Sequence, residues 1–346
     1  MNEKILIIGP SWVGDMIMAQ ALFRHLRALH PDAQMDVAAP KWCLDVVKRM
    51  PEIHEGIALP LAHGEFGLVK RYRIGKSLRA KKYDHAYVLP NSLKSALIPF
   101  FARIPVRTGW LGEMRYGVLN DARKLDKNRY PLMVQRFVAL AYPKGSEANT
   151  DPSRYPLLDI PSSDIQAAVK KHGLTIKKDQ PILAIAPGAA FGNAKRWPAE
   201  YVAQVANAKI QEDWQVWLLG SPDDMPVLEE IHAATNDQAV ILGGQVSLAE
   251  KLDLLALSSV VISNDSGLLH VGAALDKPVI AIYGSTTPTF TPPLTEKGVI
   301  LQVDTLACRP CFQRSCPLTG AAELKCLKDI APQQVLNAIT QLTEAA

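Results

Sequence analysis

A chain of 346 residues, 48% hydrophobic and 21% charged with a formal net charge of +4, is too long for one compact core and ordinary in composition, which excludes a disordered or fibrous protein and points to two domains. No stretch reaches the roughly 20 apolar residues of a bilayer-spanning helix. The opening Met1-Asn2-Glu3-Lys4 runs straight into Ile5-Leu6-Ile7-Ile8 with no leader-like core or cleavage site, so a cytoplasmic protein is expected.

Charge is uneven along the chain. Residues 1–165 hold 24 Lys and Arg against 16 Asp and Glu, and residues 166–346 hold 14 against 18. The basic half suits an anionic surface or a phosphorylated acceptor, unless the difference is drift in surface charge. In that half, apolar runs at 4–9, 34–39, 55–59 and 84–89 predict strands, and amphipathic stretches at about 14–29, 41–49, 67–81 and 92–101 predict the helices between them. Short apolar strands alternating with helices imply parallel βαβ units. The pattern weakens between about 105 and 165, where Ala148-Asn149-Thr150-Asp151-Pro152 reads as the approach to an interdomain linker.

A second series follows, with strands expected at 181–187, 214–220, 239–242, 259–264 and 278–284 and helices at about 198–211, 224–235, 247–257 and 266–275. Residues 285–298, rich in Thr and Pro, read as a loop, and a helix over about 331–345 closes the chain. The expected architecture is α/β: two Rossmann-like domains, 1–165 and 166–328, facing a cleft, with a segment 329–346 open to packing back on the N-terminal domain.

Five segments carry candidate chemistry. Gly9-Pro10-Ser11-Trp12-Val13-Gly14-Asp15 links the first strand to the first helix, at the sheet edge where α/β folds bind ligands. Asp15 there can act as a base or simply favour the helix start, and the segment lacks the full GxGxxG of a dinucleotide site. Pro187 to Pro198 combines small residues, which let backbone approach a ligand, with Lys195 and Arg196, which can neutralise phosphate; a solvated basic loop is the alternative. Ser263-Asn264-Asp265-Ser266-Gly267-Leu268-Leu269-His270 ends a strand and opens a helix. The amides of Ser266 and Gly267 suit an anion and Asp265 suits sugar hydroxyls, although the same residues serve as an ordinary cap and His270 as a core histidine.

Tyr283-Gly284-Ser285-Thr286-Thr287-Pro288 ends the next strand at the same edge. Three small polar turns on one edge together suggest a nucleotide-diphosphate site. Finally, Cys308, Cys311, Cys316 and Cys326 lie in one short segment, apart from Cys43. Four thiolates can complete a tetrahedral structural zinc site, with reduced thiols as the alternative, and disulfides are not expected in the cytosol.

Taken together, Gly9–Leu22, Tyr87–Trp110, Gly112–Asp121, Pro187–Pro198, Asn264–Leu275 and Tyr283–Pro293 resemble the ADP-heptose:lipopolysaccharide heptosyltransferases of glycosyltransferase family 9, most closely the heptosyltransferase II branch. The resemblance implies a B-type glycosyltransferase fold with the acceptor on the first domain and ADP-heptose on the second, and direct inverting transfer to heptosyl-Kdo2-lipid A. It gives Asp15 the role of base, Lys195 the donor phosphates, Asp265 the donor sugar, and Ser266 and Gly267 the phosphate-facing helix start. Asp223 or Asp224 falls near the ribose-binding acid, and Gly243 to Gln245, with Gly244 between, near the loop that receives adenine. Gly188, Arg196 and His270 fall on the donor side; Ser11, Trp12, Asn91, Lys94 and Arg115 fall on the acceptor side.

No cofactor or catalytic metal is implied, no DxD-type motif stands at the donor segment, and no nucleic-acid partner is expected. The basic run Lys70-Arg71-Tyr72-Arg73, with Lys76, Arg79, Lys81 and Lys82, either faces a lipid-anchored core precursor at the inner membrane or is a solvated helix face. Other readings stay open on sequence alone: a family-9 heptosyltransferase I or III with another acceptor, a nucleotide-sugar 2-epimerase, and a sugar-binding protein without catalysis.

Overall fold

Strands that are apolar along their whole length need cover on both faces, and this chain has several. Ile182–Ala186 and Val279–Tyr283 are buried at every residue, and Lys4–Ile8 at all but its first. In the computed structural model, which describes residues 2–62, 64–146 and 155–344, such strands form the centres of two parallel sheets. The expected linker at 148–152 lies outside the described residues. The chain divides into two compact units, Met1–Asp159 and Ile160–Ala346.

Unit 1 runs β1 (Lys4–Ile8), α1 (Val13–Leu29), β2 (Gln34–Ala39), α2 (Leu44–Val47), β3 (Glu55–Ala58), α3 (Leu68–Leu78), β4 (His85–Val88), α4 (Leu93–Phe101), β5 (Val106–Trp110), β6 (Asp121–Arg123) and α5 (Met133–Val138). Its sheet order is β3-β2-β1-β4-β5-β6, every pairing parallel. Unit 2 runs α6 (Ser162–Lys171), β7 (Ile182–Ala186), α7 (Ala199–Gln211), β8 (Gln215–Leu219), α8 (Met225–Ala234), β9 (Val240–Leu242), α9 (Leu248–Leu255), β10 (Val260–Asn264), α10 (Gly267–Ala274), β11 (Val279–Tyr283), β12 (Gly298–Gln302), α11 (Lys325–Lys328) and α12 (Pro332–Glu344). Its order, β9-β8-β7-β10-β11-β12, repeats the same doubly wound plan. In each sheet the order reverses beside the first strand, between β1 and β4 and between β7 and β10. The crevice at the carboxyl ends of those strands is where such folds hold ligands.

Three departures from the expectation have physical causes. The boundary falls at Asp159 rather than near 165, because α6 packs on α9 of unit 2. β5, β6 and β12 lie at or next to sheet edges and are partly exposed; β5 and β6 carry Arg107 and Asp121 in place of an apolar run, and the short run Val299–Leu301 of β12 follows directly on a Thr- and Pro-rich segment. The closing helix, for which packing on the N-terminal domain was left open, packs on α7 and on β10 to β12. Its stripe of Val335, Ala338 and Ile339 enters the unit 2 core beside Leu183, Ile262 and Ile280. Each such aliphatic side chain taken from water contributes roughly 1.5–3 kcal/mol. Among the described residues, no helix is long and apolar enough to cross a membrane.

One buried charge in unit 1 shows how tightly the edge of its sheet is tied. Asp36 on β2 is fully buried. It accepts hydrogen bonds from the Tyr83 hydroxyl at 2.5 Å and, from the other side, pairs with His54 Nδ1 at 3.0 Å. Removing one donor leaves a buried carboxylate oxygen short of a partner, at a cost of about 1–3 kcal/mol. Tyr83→Phe should therefore lower the unfolding free energy of unit 1 by that amount, with ligand affinity of unit 2 unchanged, as urea denaturation and titration calorimetry would show.

Candidate active site

The loops at the carboxyl edge of the unit 2 sheet are laced together by the last residue of β10. The Asn264 side chain accepts from the Trp197 amide at 3.2 Å and donates to the Pro187 carbonyl at 2.6 Å, so one buried amide joins both ends of the Pro187–Trp197 loop to the start of the 264–267 turn. That loop ends in a 3-10 turn, Asn193–Lys195, which delivers Lys195. Its Nζ lies 2.5 Å from Asp265 Oδ2, and the Thr286 hydroxyl donates to the same oxygen at 2.7 Å. Both charged side chains are nearly out of solvent, 12% and 9% exposed. The Phe191 ring lies 5.0 Å from the Lys195 Nζ and 5.5 Å from the Arg314 guanidinium, so this face gathers cations.

A second ion pair flanks the first. Asp224 Oδ1 takes Arg196 at 3.1 Å, and its Oδ2 accepts from the Ser221 amide at 2.9 Å and hydroxyl at 2.7 Å. Gly188 lies directly against this carboxylate: a Cβ there would sit 2.3 Å from Asp224 Cγ. Of the two acids expected at this turn, Asp224 is the buried one and Asp223 is exposed. Gly244 occupies the left-handed region at φ +57, and Gln245 beyond it is exposed. Ser266 is the extended residue preceding α10, and no side chain caps the helix there, which leaves its first amides for other partners. Three buried side-chain atoms of these segments, Arg196 Nε, His270 Nδ1 and Ser285 Oγ, have no hydrogen-bond partner among the described residues. Unpaired buried polar atoms are costly, and their gathering at one edge marks where a polar group can bind.

His270, one turn into α10, is wholly buried, and burial pulls its pKa down to about 4; the charge of Asp265 opposes this and that of Lys195 adds to it. It stands as a neutral imidazole at pH 7.

The same edge of the unit 1 sheet carries Asp15 in the first turn of α1. Its charge adds to burial in pushing the neighbouring Cys43 thiol up to about 12, so the carboxylate faces a neutral thiol. The Ser11 carbonyl is held by the Trp42 indole at 2.9 Å and by Cys43 Sγ at 3.4 Å. Trp12 is 55% exposed. Ser11 and Lys94 line one pocket together with Gly9, Trp42, Arg71 and Ser92. Asn91 is exposed beside it.

Arg115 departs from the expectation of an acceptor contact. It is fully buried, and its guanidinium donates to the carbonyls of Pro90 at 2.7 Å, Ser92 at 3.1 Å and Trp110, and to Asn91 Oδ1 at 3.4 Å. Burial lowers its pKa to about 10. It holds the 90–92 turn in place and is out of solvent in this structure. Arg71 was likewise expected on a basic face, yet it is buried and bonded to the Phe66 and Glu65 carbonyls.

Four site features were not anticipated from sequence: Thr286 on the Asp265 carboxylate, the Phe191 ring, Arg309 and Arg314. The last two belong to the cysteine-bearing loop, which buttresses the donor-side turns. Arg309 donates to the Gly284 carbonyl at 2.7 Å and the Thr286 carbonyl at 3.0 Å, the Phe312 amide donates to the Ser285 carbonyl at 2.9 Å, and the Ala194 amide donates to the Arg314 carbonyl at 3.1 Å. A Cβ on Gly192 would fall 2.2 Å from that Arg314 carbonyl. Cys308, Cys311, Cys316 and Cys326 line one cavity behind this contact. No three of their sulfurs lie within 4.8 Å of one another.

The doubly wound topology and this charge-lined edge suit binding of a phosphorylated ligand at the switch point, and the chain belongs to glycosyltransferase family 9, the heptosyltransferases, whose profile matches residues 71–322. Its relatives include lipopolysaccharide heptosyltransferase 2 of Salmonella typhimurium, 46% identical over 345 residues, and that of Escherichia coli K12, 45% identical over 347, each match covering 98% of both chains. The solved structure of E. coli ADP-heptose LPS heptosyltransferase II superposes with a TM-score of 0.86 at 44% identity, covering 99% of this chain and all of that one. A family-9 glycosyltransferase from Veillonella parvula, at 20% identity, shares the fold with a TM-score of 0.85.

Buried histidines give a testable pH dependence. His270 and His85 are each pulled down to about 4, chiefly by burial. In the unfolded chain both take up a proton near pH 6.5, so between about pH 6.5 and 4 the unfolded state binds more protons and stability must fall as pH falls. Urea unfolding at pH 7.5 and pH 5 should show this loss, and His85→Gln should make the profile of unit 1 flatter.

Proposed function

We propose that the chain transfers L-glycero-D-manno-heptose from ADP-heptose to heptosyl-Kdo2-lipid A, with inversion, during synthesis of the lipopolysaccharide inner core. The single observation that carries the donor assignment is the Lys195–Asp265–Thr286 cluster at the switch point of the unit 2 sheet, beside an uncapped helix start. It sets a cation and backbone amides where a diphosphate would lie, with a carboxylate next to them for sugar hydroxyls. The acceptor assignment is supported by near full-length similarity to the Salmonella and E. coli enzymes.

In this reading Asp15 takes the proton from the acceptor hydroxyl as that oxygen attacks the anomeric carbon, and ADP departs from the opposite face of the sugar. The C–O bond to the phosphate breaks as the new C–O bond forms. Lys195 and the amides at Ser266 and Gly267 stabilise the negative charge growing on the leaving phosphate. In this reading Asp224 and Arg196 serve the nucleoside end of the donor, and Gly188, lacking a Cβ, lets the Asp224 carboxylate lie against its backbone. Neutral His270 backs the cluster without adding a charge that would compete with Lys195. The acceptor is lipid-anchored, so the enzyme works on the cytoplasmic side, at the surface of the inner membrane.

ADP release from ADP-heptose should depend on heptosyl-Kdo2-lipid A. Asp15→Ala should lower it about 10²–10⁴-fold with ADP binding intact, and Lys195→Ala about 10²–10³-fold. Release with Kdo2-lipid A or a longer core in place of this acceptor would keep the family and move the acceptor; no release with any core acceptor would sink the reading.

The structural zinc is a separate proposal. The donor set fits, since four thiols share one cavity and the Leu324 amide donates to Cys316 Sγ at 3.4 Å, a contact that suits a thiolate. Closing them on one ion requires the thiols to turn inward, since Zn–S bonds are about 2.3 Å. Metal analysis of protein purified without chelator decides it: one zinc per chain supports the site, and none, with the thiols titrating freely, removes it.

A further inference from the structure

The basic run that opens α3 does two jobs, separated by helical periodicity. Gly67, in the left-handed region at φ +51, turns the chain into the helix. Arg71 then points inward, where it lines the unit 1 pocket and ties down the Glu65 and Phe66 carbonyls. The rest of the helix surface carries large apolar side chains in water: Val69 is 61% exposed, Leu68 48% and Tyr72 42%, with Phe66 at 52% just before the helix. Arg73 and Lys76 are exposed among them, as is Lys70, whose Nζ also pairs with Glu65 at 2.7 Å.

The apolar surface continues onto the end of α4. Tyr72 meets Phe101 edge-on at 5.3 Å, Phe101 meets Phe100 at 5.6 Å, and Phe100 is 42% exposed under the Arg107 guanidinium. Close packing fixes this pair of helices: a Cβ on Gly75 would lie 2.6 Å from Phe101 Cβ. A contiguous apolar surface edged by cations on a rigid helix pair calls for a partner.

We propose that this α3–α4 face is the surface by which the protein docks on an anionic phospholipid bilayer, with Leu68, Val69, Tyr72 and Phe100 at the acyl boundary and Lys70, Arg73 and Lys76 among the headgroups. Apolar residues ringed by Lys and Arg are the chemistry of interfacial binding. A second copy of the chain fits less well, because a two-fold contact would set these cations against themselves. The proposal rests on the reading of a lipid-anchored acceptor, and it places the docking face on the helix that also lines the unit 1 pocket, so a lipid-borne sugar would be presented at that pocket without leaving the membrane.

Vesicle co-sedimentation tests it, with phosphatidylcholine alone and with phosphatidylcholine carrying phosphatidylglycerol. The wild-type chain should bind only the anionic vesicles, and less in high salt. Arg73→Glu with Lys76→Glu should weaken binding roughly tenfold or more, and Leu68→Ser with Val69→Ser should weaken it comparably, while ADP release on detergent-solubilised acceptor stays at the wild-type rate. The charge pair, on exposed side chains, keeps the test decisive if the apolar pair impairs folding.

Vesicle binding unchanged in both double variants, or absent in the wild type, overturns the proposal. So does a concentration-dependent dimer, seen by light scattering, that the apolar pair abolishes without affecting vesicle binding. Vesicle binding without ADP release on any core acceptor would instead sink the acceptor reading and leave the docking face standing.

Discussion

The arrangement of unit 2 depends on keeping one ammonium and one carboxylate, Lys195 and Asp265, in contact at 2.5 Å and nearly out of water. Desolvating two charges is expensive, and their attraction repays the cost only when geometry is held and the remaining hydrogen-bonding capacity is used. The surrounding chain holds the geometry and adds a second donor to the same carboxylate oxygen. Thr286 takes up the carboxylate oxygen, Asn264 ties the Lys195 loop to the end of β10, and the 3-10 turn fixes the lysine's backbone. A pair held this way is preorganised: neither side chain has to search through rotamers to meet a ligand at this edge.

That demand passes outward to the cysteine-bearing loop. Residues 303–324 contain almost no regular structure beyond the Gly320–Ala322 turn, yet Arg309, Phe312 and Arg314 reach the Gly284–Thr286 and Gly192–Ala194 backbones. Glycine is required at 192 because the Arg314 carbonyl occupies the place of its Cβ. Long irregular loops in compact domains tend to be functional, and here the function is support: the loop props the two turns whose side chains meet at Asp265. The four thiols sit behind the contact, so whatever draws them together would stiffen the donor side from a distance.

The extent to which this was legible in sequence follows from burial. The central strands announce themselves because burial on both faces requires unbroken apolar runs, as in Val279–Tyr283. β5 and β6 are not legible, because Arg107 and Asp121 interrupt their apolar pattern, and β12 is short and follows a Thr- and Pro-rich segment that reads as loop. The donor-side segments were readable as three polar turns after strands, since sheet topology delivers every strand end to the same edge. The structural bonds of Arg115 are not legible: an arginine among polar loop residues looks like a ligand contact, and only tertiary structure brings the Pro90, Ser92 and Trp110 carbonyls around its guanidinium. Thr286 was visible as a turn residue, but its bond to Asp265 spans two strands.

The run Lys70-Arg71-Tyr72-Arg73 states the same lesson in one turn of helix. Composition counts three equivalent cations, whereas a 3.6-residue period does not. Arg71 falls on the inner face, where losing water is offset by two carbonyls and the guanidinium becomes part of the pocket wall. Lys70 and Arg73 fall beside Leu68, Val69 and Tyr72, where each cation near an anionic surface adds only about 1 kcal/mol. Several weak, exposed contributions suit reversible contact with a surface, and one buried arginine suits a pocket that must keep its shape. The two needs are compatible on one helix because Gly75 lets it lie flush on α4, so the face that meets the membrane and the face that lines the pocket move as one body.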